Sequence, residues 1–321
     1  MKHLTKRTIK DESILPFLAL TYSNKSLRAL NTLFCKNILK IPNTLLIKLI
    51  KKYLPDSYNT ALKKYPDLIE KKITVWPLTH EQYPVGLKLI PDPPMSLFLQ
   101  GNESLLNRNL IGIVGTRKPS TFSRLWVGEI SRFLGAKELV TISGLAAGID
   151  SAVHESSLDN GTIGVIAHGF NHVYPKCNKR FFDMSLCKEN ILLVSEHPPE
   201  RSARKHYFVK RNRIIAAMSS WLLFVEGSER SGALTTVNYS LKLNKPTLYL
   251  NHELQSGNGG VLDLANRGAR DVTSWFPVQW RKEDFQRNLI RKISQGWVYV
   301  GNKNWFKVDV DNFLKEWKLP V

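Results

Sequence analysis

The sequence predicts an α/β protein with a mainly parallel sheet and helices on both faces. Two observations predict it. Short, unbroken apolar runs rich in Ile, Val and Leu recur across residues 110–250, as strands buried on both sides must. Helical patterns alternate with them at regular spacing, which favours parallel strands joined by crossover helices.

Taken in order, residues 13–69 read as helices. SILPFLALTYSNKSLRALNTLF and NTLLIKLIKKYL both set apolar residues three and four apart, and Asn43-Thr44 is a suitable cap for the second. Pro55, Pro66 and Pro77 punctuate the next stretch of chain. PDPPMSLFLQGN (91–102) has three prolines before an apolar, strand-like run and is expected to be an extended connector leading into the main domain. LIGIV (110–114) then leads into a helix over 121–135, LVTIS (139–143) into 149–159, and TIGVIA (162–167) into 178–188. ILLVS (191–195) leads into 208–219, WLLFVE (221–226) into 232–243, and PTLYLN (246–251) ends the series. Six strands with right-handed crossovers give a Rossmann-like domain, whose ligands sit beyond the C-terminal strand ends. Residues 276–321 combine a helical start, a hairpin around Gly301-Asn302 and an amphipathic helix, which suits a winged-helix-like or oligomerisation module. Three units are expected: a basic helical domain over 1–75, the core over 76–275 and a small C-terminal module over 276–321.

At 321 residues and 43% apolar, the chain can bury a substantial core. Its net charge of +19 favours polyanionic partners. Residues 1–80 hold 15 Lys/Arg against 5 Asp/Glu, whereas residues 81–271 hold 22 against 17, so the middle domain must bind by placement of charge. Cys35, Cys177 and Cys187 make no CxxC pair and no disulfide framework, which suits a reducing cytosol. The basic start MKHLTKRTIKDE is followed by no signal-peptide pattern, and Pro42, Asn43 and lysines interrupt the apolar stretch near 41–50. A soluble cytoplasmic protein that makes no membrane contact is expected.

Four loops carry the chemistry. Gly115-Thr116-Arg117 follows the first core strand. The glycine allows a tight turn and close approach, the next helix presents free N–H groups, and a hydroxyl and a guanidinium suit phosphate. Ser120 or Thr121 can cap that helix. Ser143-Gly144-Leu145-Ala146-Ala147-Gly148-Ile149-Asp150 is a second small-residue turn, with Ser143 and Gly144 as candidate contacts and Gly148 expected to serve helix–sheet packing. RSARKHYFVKRNR (201–213) holds six Lys/Arg and no acid around Tyr207 and Phe208, the pattern that single-stranded nucleic acid calls for. Its candidates are Lys205, Phe208, Lys210, Arg211, Asn212 and Arg213. In EGSERSGALTT (226–236), Ser231 and Gly232 open a helix toward the cleft, and Glu226 is either a general base or a loop anchor. Each loop also has a plain reading, as a turn, a solvated charge run or core packing.

GxGxxG, GxxxxGK[ST] and GxSxG motifs are missing, which argues against a dinucleotide enzyme, a P-loop ATPase and a serine hydrolase. His168-x3-His172 has no completing carboxylate or cysteine, so no metal and no cofactor are expected.

These motifs resemble a known family. IGIVGTRKPS, VTISGLAAGIDSAVHESSL, GTIGVIAHGFNHVYPKCN, LLVSEHPP, FVKRNRIIAAMSSWLLFVEGSERSGALTTVNYSLKLNKP and NRGARDV occur in the order seen in the DNA-processing protein A (DprA/Smf) family. The resemblance covers roughly residues 76–272. It implies an extended Rossmann-like fold, binding of single-stranded DNA, a homodimer, and loading of the recombinase RecA in natural transformation, without catalysis. Gly115, Thr116 and Arg117 match the family's glycine–serine–arginine phosphate loop, with threonine in place of serine. Lys205, Phe208, Arg211, Asn212 and Arg213 match its basic-aromatic stretch, with Val209 where proline is common. HELQSGNGGVLDLANRGA lacks the family's usual proline-glycine, and neither terminus carries a helix-hairpin-helix or winged-helix signature. The alternatives are a nucleotide N-glycosidase of the lysine-decarboxylase-like Rossmann group using Glu226 or Glu229, and an assembly protein whose basic N-terminal domain binds membrane or protein.

Overall fold

The computed structural model describes residues 13–272 except Ser26, Cys35, Lys36, Lys188, residues 252–254 and 256–258 and Leu262, together with two strands near the C-terminus. Four helices come first: α1 (Ile14–Tyr22), α2 (Leu27–Phe34), α3 (Asn43–Tyr53) and α4 (Pro55–Glu70). Helix α1 is apolar nearly all round, and Leu15 to Leu20 are all buried, as such a helix requires. Asn24, in the left-handed region at φ 54°, separates it from α2. Asn43 is the first helical residue rather than a cap, because Pro42 with its fixed φ takes the capping position. Pro55 opens α4, where its missing N–H costs nothing.

The core strands are β1 (Thr74–Pro77), β2 (Ser96–Gly101), β3 (Leu110–Val114), β4 (Val140–Ser143), β5 (Thr162–Val165), β6 (Ile191–Ser195), β7 (Trp221–Phe224), β8 (Thr247–Tyr249) and β9 (Arg270–Asp271). They form one nine-stranded sheet in the order β1-β2-β6-β5-β4-β3-β7-β8-β9. From β6 to β9 every pairing is parallel, while β2 runs antiparallel to both β6 and β1. The helices are α5 (Val85–Lys88), α6 (Thr121–Ala136), α7 (Ile149–Ser157), α8 (Lys179–Leu186), α9 (Lys205–Met218) and α10 (Ala233–Lys242).

All six predicted strands are present, and the structure adds three. The largest difference is PDPPMSLFLQGN. Its apolar run is not a connector but β2, buried at all six positions and registered with Phe98 opposite Ser195. The prolines precede the strand, so they remove no ladder hydrogen bond. Strand β1 ends on Pro77 at the sheet edge, where a proline is tolerated. On one face α6 and α7 bury Phe122, Trp126, Val127 and Val153 against Ile111, Ile113 and Leu223. On the other face α9 and α10 bury Ile214, Ile215 and Val237 in a core that continues to α1–α4.

Near the C-terminus, β10 (Trp297–Val300) and β11 (Asn304–Lys307) pair antiparallel, with Val300 opposite Asn304; the residues of the expected turn, Gly301-Asn302, lie outside the described ones. The helices expected on either side of this hairpin lie outside the described residues.

Two buried histidines give the fold a pH limit. His154 shares a hydrogen bond with Thr162 Oγ1 at 2.7 Å, and burial reinforced by the Arg211 charge holds its pKa at about 3. His197, against the Tyr207 ring, is held at about 3 chiefly by burial. Both stay neutral in the fold but gain protons in the unfolded chain below its ordinary pKa of about 6.5. Stability is therefore full above that pH and falls as pH drops toward 3. The expected loss between pH 7.5 and 5 is on the order of 2 kcal/mol per histidine, measured by urea unfolding. Asp150, whose carboxyl is raised mainly by burial, contributes with the opposite sign.

Candidate nucleic-acid interface

The order in which the chain adds strands reverses between the parallel pair β3 and β7: connections run from β3 toward β4 on one side and from β7 toward β8 on the other. The loops leaving the two strands diverge there and open a crevice. They are stitched together below it. Thr116 N donates to Glu226 O at 2.7 Å, and Ile149 N to Thr116 O at 3.1 Å. Buried Glu226 accepts hydrogen bonds from Ser120 N and Ser120 Oγ at 3.0 and 2.8 Å, while Ser120 Oγ caps α6 by accepting from Ser123 N at 3.1 Å. Glu226 is thus a loop anchor.

Above these bonds lies a cleft of about 760 Å³. Gly115, Thr116 and Arg117 line one wall, Lys205, Phe208, Arg211 and Asn212 of α9 the second, and Ser231 and Gly232 the third. Arg117 is exposed, with its guanidinium 5.8 Å from the centre of the Phe208 ring. Arg117, Arg204 and Lys205 have no carboxylate partner among the described residues. The N-termini of α9 and α10 line the same cleft, through Arg204 and Lys205 and through Gly232 and Ala233; on α10 the first N–H groups are taken, Ala233 N by Ser231 Oγ at 3.3 Å and Leu234 N by Ser231 O at 3.1 Å. Unpaired cations, helix N-termini and an aromatic ring make a site for a polyanion that carries flat rings.

Four sequence candidates lie off the cleft, two of them because of the phase of α9 and two because they are taken up at the end of β4. Helix α9 starts at Lys205 rather than 208, so the basic-aromatic stretch is helical and its residues fan out at about 100° each. Lys205, Phe208 and Asn212 share the cleft face. Lys210 turns away toward Asp92 and Glu196, at 3.4 and 3.5 Å. Arg213 is buried in an ion pair with Glu196. Ser143 donates to Ile113 O at 2.6 Å inside the sheet, and the place of a Cβ on Gly144 is filled by the Arg211 guanidinium.

Arg211 is 5% exposed and donates to Gly144 O and Val165 O, bracing the ends of β4 and β5. Burial lowers its pKa to about 10 against the opposing pull of Asp150. Gly148 contacts the Thr116–Arg117 backbone rather than the sheet. His168 sits against the Gly169 and Tyr174 carbonyls, and His172 against that of Glu200.

Three cleft residues are not among the candidates drawn from the sequence, although each lies inside a motif quoted above: Arg204, Asp150 and Tyr174. Tyr174 meets Phe208 edge to face at 5.4 Å. It lies in the loop that follows β5, beyond a C-terminal strand end, and that position is its only signal.

Comparison with known proteins agrees with this architecture. The family model described as DNA recombination-mediator protein A matches residues 74–278. DNA processing protein DprA of Bacillus subtilis is 38% identical over 224 residues, covering 68% of this chain and 72% of that protein. Its Streptococcus pneumoniae counterpart is 35% identical over 207 residues, 64% of this chain and 72% of that one. The crystal structure of the pneumococcal protein superposes with a TM-score of 0.62 at 28% identity, covering 82% of this chain and 92% of that chain. DNA processing protein A of Helicobacter pylori, described for its single-stranded DNA binding mode, shares the fold with a TM-score of 0.57 at 24% identity, over 70% and 96% of the two chains. With the mixed nine-stranded sheet, the strand-end cleft and a family model covering most of the sheet-forming region, the chain belongs to the DNA recombination-mediator protein A family.

Proposed function

We propose that the protein grips single-stranded DNA across the strand-end cleft without catalysis, protecting incoming strands and loading the recombinase RecA during DNA processing. The observation that carries this reading is the convergence of Arg117, Arg204 and Lys205, none of them ion-paired among the described residues, around Phe208. Cations track a phosphate chain while the ring accepts an unpaired base of any identity. RecA loading and homodimer formation rest on the family alone, while a cytoplasmic setting and the division into units of 1–75, 76–275 and 276–321 rest on the sequence reading. No described helix is long and apolar enough to cross a membrane. Non-catalytic action is supported by Glu226, whose carboxylate holds the Ser120 amide and hydroxyl rather than facing the cleft.

Mobility-shift titrations test the reading. With about three phosphates neutralised, log affinity for an oligothymidine falls with log salt at a slope of roughly −2. Arg117→Ala weakens binding to all sequences alike and flattens the slope by about 0.7. A duplex preference, or an unaffected Arg117→Ala variant, would overturn it. Phe208→Ala costs about 1–3 kcal/mol of binding while leaving the salt slope unchanged, which separates stacking from charge.

A further inference from the structure

We infer that the N-terminal helices carry a second nucleic-acid surface, formed by Lys48, Lys51 and Lys52 of α3, which holds the same single strand as it leaves the cleft. This rests on the single-strand reading above. Helix α3 contains no acidic residue, and its three lysines are exposed. None has a carboxylate partner among the described residues, unlike Lys64, which pairs with Glu200 at 3.0 Å. Positions 48, 51 and 52 are three and four residues apart, so their ammonium groups fall on one face. Aromatic rings accompany them: Lys51 Nζ lies 4.9 Å from the Tyr58 ring centre and Lys52 Nζ 5.2 Å from that of Tyr53, which is 46% exposed. Cations beside accessible rings repeat the chemistry of the cleft, on another domain.

The two surfaces are joined along one rim. Tyr58 and Lys64 lie six residues apart on α4, about 9 Å. Lys64 and Tyr22 both meet Glu200, and five residues on from Glu200 the chain reaches Lys205 in the cleft wall, at most about 17 Å. With the Tyr58, Lys64 and Glu200 side chains included, the α3 lysines lie within about 50 Å of the cleft along this path, a gap that an extended strand of about thirty nucleotides can bridge. Of the exposed groups on α3, only Leu45 and Tyr53 are large and apolar, too little to insert into a lipid surface, so the phosphate chain of nucleic acid is the partner that fits.

The experiment compares two oligothymidines, of about six and about thirty nucleotides, on the full chain and on a variant carrying Lys48→Gln, Lys51→Gln and Lys52→Gln. The expected result is unchanged affinity for the short strand, roughly 10–100-fold weaker binding of the long one, and a long-strand salt slope flatter by about 2. Arginine at the same three positions keeps the long-strand affinity. Equal long-strand binding by the glutamine variant and wild type overturns the inference. So does a variant that loses only its retention on phosphatidylglycerol vesicles, because the surface is then a lipid contact. Failure of the cleft reading shows separately, as short-strand binding that is absent or indifferent to Arg117→Ala. Circular dichroism melting of the variant, all of whose changes are on the surface, is expected to match wild type.

Discussion

Arg211→Met is expected to destabilise the folded protein by about 3–5 kcal/mol, although methionine fills nearly the same space. The guanidinium is buried and donates to Gly144 O and Val165 O, so its removal leaves two inward-facing carbonyls short of a donor. It also strips buried Asp150 of its nearby positive charge. That carboxyl is already raised by burial, with Arg211 the largest opposing influence. Without the arginine its pKa climbs further. A carboxyl raised above its unfolded value keeps in the fold a proton that the unfolded chain has lost, so the penalty grows as pH rises past about 4 and shrinks below it. Urea unfolding at pH 7.5 and 4.5 reads both the size and the sign. Arg211→Met combined with Asp150→Asn should recover part of the loss, since deleting both partners leaves no orphaned charge. Arg117→Met, exposed at the same cleft, should shift stability by less than about 0.5 kcal/mol. Two arginines that look alike in the sequence therefore divide into one that braces the sheet and one free to meet a ligand.

That division marks where the sequence stops being legible. The six strands from LIGIV to PTLYLN could be read because a strand buried on both faces must be continuously apolar, and here such runs alternate regularly with helical patterns. The run of β2 looks strand-like in the sequence, but its prolines, which signal a loop locally and end just before pairing begins, assign it to a connector rather than to the sheet. The loops after β3 and β7 were found because parallel topology places ligands at strand ends, and Thr116 and Ser231 do lie there. The basic stretch was recognised by composition but not sorted. Charge counting sees six cations in residues 201–213, whereas the helix phase decides that Lys205 faces the cleft, Lys210 faces Asp92 and Arg213 goes inside. A start three residues earlier than the pattern suggested was enough to change that sorting. Tyr174 comes from the loop after β5 and Asp150 from the first turn of α7, and only the assembled sheet brings them together at the cleft.

Gly148→Ala should show how closely the cleft depends on a residue that touches no ligand. Gly148 caps α7 at φ 87° and ψ −125°, a conformation open to glycine and strained for alanine, at a cost of about 1–3 kcal/mol. A Cβ there would stand 2.6 Å from the carbonyl carbon of Arg117 and 2.7 Å from its Cα, and would overlap Thr116 O. These are backbone atoms, so no side chain can swing aside, and overpacking adds about 1–3 kcal/mol more. The relief available is displacement of the Gly115-Thr116-Arg117 turn, which breaks the bond from Ile149 N to Thr116 O and pulls at the one from Thr116 N to Glu226 O. Single-strand affinity should then fall at least as far as in Arg117→Ala, because the whole Gly115-Thr116-Arg117 turn moves rather than one side chain. Gly232→Ala is the contrast. Gly232 has φ −60° and nothing within 4 Å of the place a methyl would take, so alanine should be neutral or raise stability by up to about 1 kcal/mol through the unfolded chain. If Gly148→Ala binds oligothymidine as wild type does, the turn is not held from behind as the contacts require, and the glycine serves only to start α7.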